Sequence, residues 1–252
     1  MLSDLYNKGV ENIRQNDREL QKRFLTTLSK YRYMDVDYLL DLGCFFVHNR
    51  QYLIDSFGLE CVGSHNDFYD QDGVCKFLGT LMIPIRDVNG DVVGFNSFNP
   101  FAKLKEQEGD FSDIKYNISS KKVFNRNRFP LIPNGYKKMF EEGYVVIMDG
   151  TFDALTLGSL GINTFCNLGT VFSEYCSFIL SFVNKRFLAM DNDRAGLTLH
   201  KSINKTLKCY RLTQNKFKDI DSYVEDCGDR EGLRNLILNH VNSNLMCDIV
   251  LP

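Results

Sequence analysis

The chain has 252 residues, of which 44% are hydrophobic and 25% charged, and its formal net charge is −2. Those values exclude a disordered or fibrous chain and suit one large globular domain or two small ones. With no apolar run near the roughly 18 residues of a membrane span and no signal-peptide pattern, the expectation is a soluble cytoplasmic protein with no membrane partner.

Residues 1 to about 42 carry apolar side chains at helical spacing (Leu20, Phe24, Leu28; Tyr38, Leu39, Leu42), and Gly43 is placed to end a helix. From 44 to 100 the texture changes to short apolar runs cut by glycines. LMIPIRDVNGDVVGF reads as a hairpin: Asn89-Gly90 is the dipeptide of a two-residue type I′ turn, flanked by Ile83 and Ile85 on one side and Val92 and Val93 on the other. A polar stretch, 101 to 114, leads into 115–138. That segment holds seven basic residues (Lys115, Lys121, Lys122, Arg126, Arg128, Lys137, Lys138), no acids, and the interleaved rings of Tyr116, Phe124, Phe129 and Tyr136. Cations of this kind hold phosphate backbones and rings stack single-stranded bases, although such a run alone is more often a solvated loop. Pro130 and Pro133 mark a linker.

Beyond Pro133 strand and helix signals alternate, as a parallel sheet requires. A strand over Tyr144–Met148 stops at Asp149-Gly150, and a helix through Leu160 ends at Gly161. A strand over Asn163–Cys166 then leads to Asn167-Leu168-Gly169-Thr170, and Ser173 is placed to cap the next helix. A strand over Arg186–Met190 stops at Asp191, and a helix begins near Ala195. A last strand near Leu207–Leu212 reaches KDIDSYVEDCG, and residues 229–241 form an amphipathic helix (Leu233, Leu236, Ile237, Val241). Gly150, Gly169 and Gly196 suit sharp strand-to-helix turns.

Two apolar strands therefore end in acids, Asp149 with Asp153 and Asp191 with Asp193. Functional groups in α/β sheets cluster at the carboxyl ends of strands, and carboxylates from two such ends can share a hard divalent cation. For Asp193 the competing role is a helix N-cap, and Asp219 and Asp221 alone fit an exposed polar loop equally well. His48, His65, His200 and His240 lack metal-ligand spacing and read as surface or structural residues. The eight cysteines form no CxxC pair, which argues against a zinc ribbon or a redox dithiol. Neither a Walker A loop, a GxGxxG run nor a Ser/His/Asp signature is present, so ATPase, dehydrogenase and serine-hydrolase readings lack support.

The segments VVIMDGTFDAL, INTFCNLGT and FLAMDNDRAG, in that order, resemble the Toprim domain. Upstream, LMIPIRDVNGDVVGF and KYNISSKKVFNRNR resemble the hairpin and basic motif of DnaG-type primases, and KDIDSYV is similar to the acidic pair that closes that family's metal site. The resemblance spans roughly residues 35 to 228. It implies an α/β protein, an α+β N-terminal subdomain (1–140) followed by a Rossmann-like parallel Toprim sheet (141–228) and a C-terminal helix and tail (229–252). It further implies a DNA primase that makes short RNA primers on single-stranded DNA from ribonucleoside triphosphates by two-metal nucleotidyl transfer. Asp149, Asp191 and Asp193 would be catalytic, and with Asp219 and Asp221 would hold Mg²⁺ or Mn²⁺. Lys115 and Arg126 would hold template or nucleotide, and Asp153 would support the site.

The family's zinc module and helicase-binding domain are missing from these residues, which implies recruitment in trans by a replicative helicase, and the compact size suits a phage or mobile element. Two positions depart from the pattern. Asp149 stands where the family nearly always has glutamate, and Phe98 stands where an arginine is common; Arg86 or the Lys121/Lys122 pair is the candidate replacement for that charge. The competing functions are a Toprim-type nuclease and a primase-like single-strand-binding protein with weak chemistry.

Overall fold

The computed structural model describes residues 2–29, 35–58, 75–107, 116–118, 129–168, 172–191, 193–214, 219–243 and 247–251. Lys115, Lys121, Lys122, Arg126 and Arg128 lie outside those ranges, as do Gly169 and Thr170. The chain forms two compact units, Met1–Arg126 and Asn127–Pro252.

In the first unit, α1 (Leu2–Asn16), α2 (Arg18–Leu28), α3 (Val36–Leu42), β1 (Phe45–Phe46) and α4 (Arg50–Phe57) precede β2 (Leu81–Arg86), β3 (Val92–Phe98), α5 (Pro100–Gln107) and β4 (Tyr116–Ile118). The four strands form an antiparallel sheet in the order β1-β2-β3-β4. Tyr6, Val10 and Ile13 repeat at helical spacing and pack with Phe45, Phe57 and Phe95 into an aromatic core, with Tyr6 edge-on to Phe95 at 5.2 Å. Gln21 is fully buried yet satisfied: its Nε2 donates to the Tyr52 hydroxyl at 2.7 Å and its Oε1 accepts from Phe46 N at 2.7 Å. A side chain on α2 thus occupies the backbone amide of a two-residue edge strand that has few partners of its own.

The hairpin is present, but its turn differs from the expected type I′. Asp87 and Asp91 close a three-residue loop, with Asp87 N donating to Asp91 O at 2.9 Å and Gly90 N to Asp87 O at 3.0 Å. The Asp87 carboxylate accepts from Asn89 N and Asp91 N at 2.9 and 3.0 Å. Only Gly90 adopts a left-handed φ (90°), whereas a type I′ turn needs two such residues. An aspartate at the first position satisfies the inner amides in the right-handed conformation, so Asn89 has no need of the left-handed one.

The second unit contains α6 (Tyr136–Glu142), β5 (Tyr144–Met148), α7 (Thr151–Ser159), β6 (Thr164–Cys166), α8 (Glu174–Ser181), β7 (Lys185–Leu188), α9 (Arg194–Thr206), β8 (Tyr210–Gln214), α10 (Ile220–Cys227), α11 (Arg230–Asn242) and β9 (Ile249–Leu251). All five strands run parallel in the order β6-β5-β7-β8-β9. Val145 and Ile147 face a core with Met139, Ile179, Leu180, Leu199 and Ile203, from α6, α8 and α9. Val146 and Met148 alternate to the opposite face of the strand, and α7 packs on β5 and β6. Helices on both faces explain why β5 reads as an unbroken apolar run. The α/β expectation for this half is met. Ser173 caps α8 as expected, accepting from Cys176 N at 3.1 Å, and Gly161 turns at φ 79° after α7. Strand β9, read from sequence as tail, pairs with the edge of β8.

Candidate metal centre at a topological switch point

Strand β5 sends the chain to β6 on one side, whereas β7, its other neighbour, sends it on to β8 on the opposite side. Between β5 and β7 the winding therefore reverses, and a crevice opens where the two following loops diverge. Asp149 leaves the end of β5 and Asp191 follows β7 by three residues. Although 42 residues apart in sequence, they meet: Asp191 N donates to Asp149 Oδ1 at 3.3 Å. The Cys166 thiol on β6 donates to Asp149 O at 3.4 Å, and burial pushes that thiol up to about 12, so it serves as an inert packing group.

A second acidic group lies on α7 and α10. Asp153, in the first turn of α7, is only 4% exposed, and its Oδ1 accepts from Asp221 N at 2.8 Å. Asp221, itself 3% exposed, accepts from Thr156 Oγ1 at 2.9 Å. Asp219 caps α10, accepting from Ser222 N at 2.8 Å. Burial raises the Asp153 carboxyl to about 7, reinforced by the negative charges of Asp219, Asp221 and Asp191, while the Asp221 N–H opposes the rise. Asp153 is thus the residue at which the acids of three separate segments are electrostatically joined.

Two glycines make room for this arrangement. A Cβ on Gly150 would stand 1.9 Å from Asp153 Oδ2, and one on Gly196 would stand 2.3 Å from Asp191 O. The second contact is with backbone, which cannot step aside as a flexible side chain can.

The candidate residues divide clearly. Asp149, Asp191, Asp219 and Asp221 come to the carboxyl edge of one sheet, linked directly or through Asp153. Asp193 is exposed and caps α9, its Oδ1 accepting from Gly196 N at 2.9 Å, which is the competing role named for it; the cap uses one of its two carboxylate oxygens. Arg86 belongs to the first unit and donates to two backbone carbonyls there, Gly90 O at 2.9 Å and Leu42 O at 3.4 Å. That engagement ties the hairpin to the end of α3. Among the described residues no three His, Cys, Asp or Glu side chains converge closely enough to form a finished metal cage. Asp153 is the supporting residue expected from the resemblance; its contact with Asp221 and the part played by its neighbour Thr156 went unread in the sequence, where the signal available was their three-residue spacing on one helix face.

Residues 146–224 match the Toprim-like family. The chain is 31% identical over 170 residues to the DNA primase of Aquifex aeolicus, covering 64% of this chain and 32% of that protein. It is 30% identical over 139 residues to the DNA primase of Borreliella burgdorferi, covering 52% and 23%. The aligned residues thus span about a third or less of these relatives. Among solved structures, the zinc-binding and RNA-polymerase domains of the Aquifex aeolicus primase superpose with a TM-score of 0.72 at 23% identity, over 94% of this chain and 60% of that one. The DnaG primase catalytic domain solved with single-stranded DNA gives a TM-score of 0.71 at 19% identity, over 94% and 78%.

Proposed function

We propose that this chain, with its Toprim-like match over residues 146–224, its aligned similarity to DNA primases and its likeness in fold to primase catalytic cores, is a DNA primase of the DnaG type. It would polymerise ribonucleoside triphosphates into short RNA primers on a single-stranded DNA template. The observation that carries this reading is the meeting of Asp149 and Asp191 at the switch-point crevice, with Asp153, Asp219 and Asp221 bearing on the same edge.

The donor set is all carboxylate, the hard-oxygen chemistry that Mg²⁺ and Mn²⁺ select. The upward shift of Asp153 comes first from burial and then from the negative charges of Asp219, Asp221 and Asp191, and that surrounding negative charge fits a cation-binding role. Asp149, Asp191, Asp193, Asp219 and Asp221 are the residues that would hold the ions. A bound divalent ion would supply the positive charge that activates a 3′-hydroxyl and stabilises a leaving pyrophosphate. The remaining work falls to the chain. Asp149 Oδ1 pins the backbone of Asp191, Asp153 joins α7 to α10, and Gly150 and Gly196 let those groups approach. Lys115 and Arg126 would hold the template strand or the incoming nucleotide, and a replicative helicase would recruit the enzyme in trans.

The test is primer synthesis with purified protein, single-stranded DNA, labelled ribonucleotides and Mg²⁺ or Mn²⁺, with Asp191→Asn alongside. The expected result is short RNA that disappears in the variant while DNA binding persists. Shortened DNA in place of RNA would move the assignment to a nuclease, and full synthesis by Asp191→Asn would remove Asp191 from the site.

A further inference from the structure

Helix α9 starts at the acidic edge and carries charge of the opposite sign. Its first turn lies against Asp191, where a Cβ on Gly196 would meet Asp191 O, and the helix runs away from that point. Leu199 and Ile203 bury one face of it in the core of the second unit. Arg194, Thr198, Lys201 and Lys205 follow one another at intervals of four, three and four residues, so they line up in one stripe on the side away from that core. All four are exposed. From Arg194 to Lys205 the stripe is about 16 Å long, at about 1.5 Å of helix per residue.

The stripe has no counter-charge of its own. Residues 194–218 hold seven Lys and Arg and no Asp or Glu, whereas the whole chain has a net charge of −2 and residues 219–231 hold six acids. Among the described residues no ion pair engages Arg194, Lys201 or Lys205. Lys201 and Lys205 are like charges four residues apart, a spacing that destabilises a helix. Arg194 stands in the first turn, where a cation opposes the helix dipole, and no acid shares that turn. The Thr198 hydroxyl donates to Arg194 O at 2.8 Å, so the uncharged member of the stripe is satisfied within the helix. A polyanion lying along α9 would relieve this repulsion. The kind of polyanion follows from what the stripe lacks. Sites for single strands combine cations with rings on which bases stack, and no ring stands among these four residues. A duplex keeps its bases stacked inside and presents phosphates about 3.4 Å apart along each strand, so the stripe can face about five of them.

We propose that the exposed face of α9 binds the phosphate backbone of a nucleic-acid duplex, the RNA–DNA hybrid of template and primer, beyond the acidic edge. The inference rests on the primase reading above and adds to it a surface that holds the product while it is extended.

The experiment is an anisotropy titration of the whole chain with a labelled RNA–DNA hybrid, with its DNA strand alone, and with labelled poly-glutamate. Each is measured without nucleotides at about 50 and about 200 mM salt, the range over which phosphate contacts weaken most visibly. The proteins are wild type, Lys201→Gln/Lys205→Gln, Lys201→Arg/Lys205→Arg, and Lys8→Gln/Arg23→Gln, which removes equal charge from exposed positions of the first unit. The glutamine pair should lose about tenfold or more in hybrid affinity at the lower salt, and its salt slope should be shallower by about two. The arginine pair and the first-unit control should bind the hybrid like wild type, and the single strand should bind all four proteins within about twofold. Equal hybrid affinities throughout, no hybrid binding by wild type, an equal loss on the single strand, or an equal loss in the control would overturn the proposal. A loss confined to poly-glutamate would overturn it too, because the face would then suit an acidic protein. Thermal unfolding checks that each variant folds. Glutamine has nearly the helix propensity of lysine, and should the pair fail to fold, each single substitution carries the comparison with about half the slope change. Hybrid binding that depends on Lys201 and Lys205, in a protein that makes no primer, would leave the surface standing and remove the primase reading. Primer synthesis with hybrid affinities that ignore both lysines would do the reverse.

Discussion

The Asp153→Asn substitution offers a direct measure of the charge stored at the acidic edge. In the folded protein this carboxyl titrates at about 7, against an ordinary value of 3.8. A folded value above the unfolded one means that the folded state binds the extra proton between those two pH values. The contribution of Asp153 is therefore most favourable below about pH 4 and declines as pH rises to about 7, where the folded protein must accept a buried charge. At roughly 1.4 kcal/mol per pH unit, the whole interval amounts to about 4 kcal/mol. Asparagine keeps an Oδ1 acceptor for Asp221 N and carries no charge. Urea unfolding of metal-free wild type and variant should give similar stabilities near pH 4. At pH 8 the variant should be the more stable, by up to about 4 kcal/mol. Saturating Mg²⁺ should narrow that gap by neutralising the neighbouring acids. Parallel pH–stability curves for the two proteins, or a variant weaker than wild type at pH 8, would refute the reasoning.

Three further outcomes follow from individual contacts. Asp149→Glu should reduce primer synthesis by about tenfold or more, because an added methylene displaces the oxygen that receives Asp191 N; a gain in rate would mark a decayed site instead. Gly196→Ala should reduce synthesis by about 100-fold with a modest loss of thermal stability, since its Cβ would meet Asp191 O at 2.3 Å and move that backbone; wild-type kinetics would show that the turn yields freely. Gln21→Leu should destabilise the first unit by about 1–3 kcal/mol in chemical denaturation, because Phe46 N and Tyr52 Oη lose their buried partner, and an unchanged midpoint would contradict that account.

Much of this molecule was legible one residue after another. The alternation of apolar runs and amphipathic helices after Pro133 announced a parallel sheet, because a strand buried on both faces has to be apolar throughout. Tyr144–Met148 spans β5 as read, and Asp149 and Asp191 stand where those runs stop. The turn at Asn89-Gly90 was read one step wrong because a dipeptide preference omits the side chain before it, and Asp87 decided the loop. Strand β9 was missed because Ile249–Leu251 is too short to signal a strand unless the edge of β8 is there to receive it.

Sequence alone therefore determined which residues are acidic, which runs must be buried, and where β5 and β6 stop, since those follow from local periodicity and polarity; β7, read to Met190, ends at Leu188, and β8, read to Leu212, runs to Gln214. Tertiary structure decided which acids meet. Strand order reverses between β5 and β7, so Asp149 touches the backbone of Asp191 across 42 residues of chain, and α10 returns to set Asp221 on Asp153 across 68. It also set Asp193 at the surface, where one carboxylate oxygen caps α9, while Asp153 and Asp221 are buried. The physical reason is that a carboxylate's chemistry depends on the charges and amides within a few ångströms of it, and strand order, which no local pattern encodes, selects those neighbours.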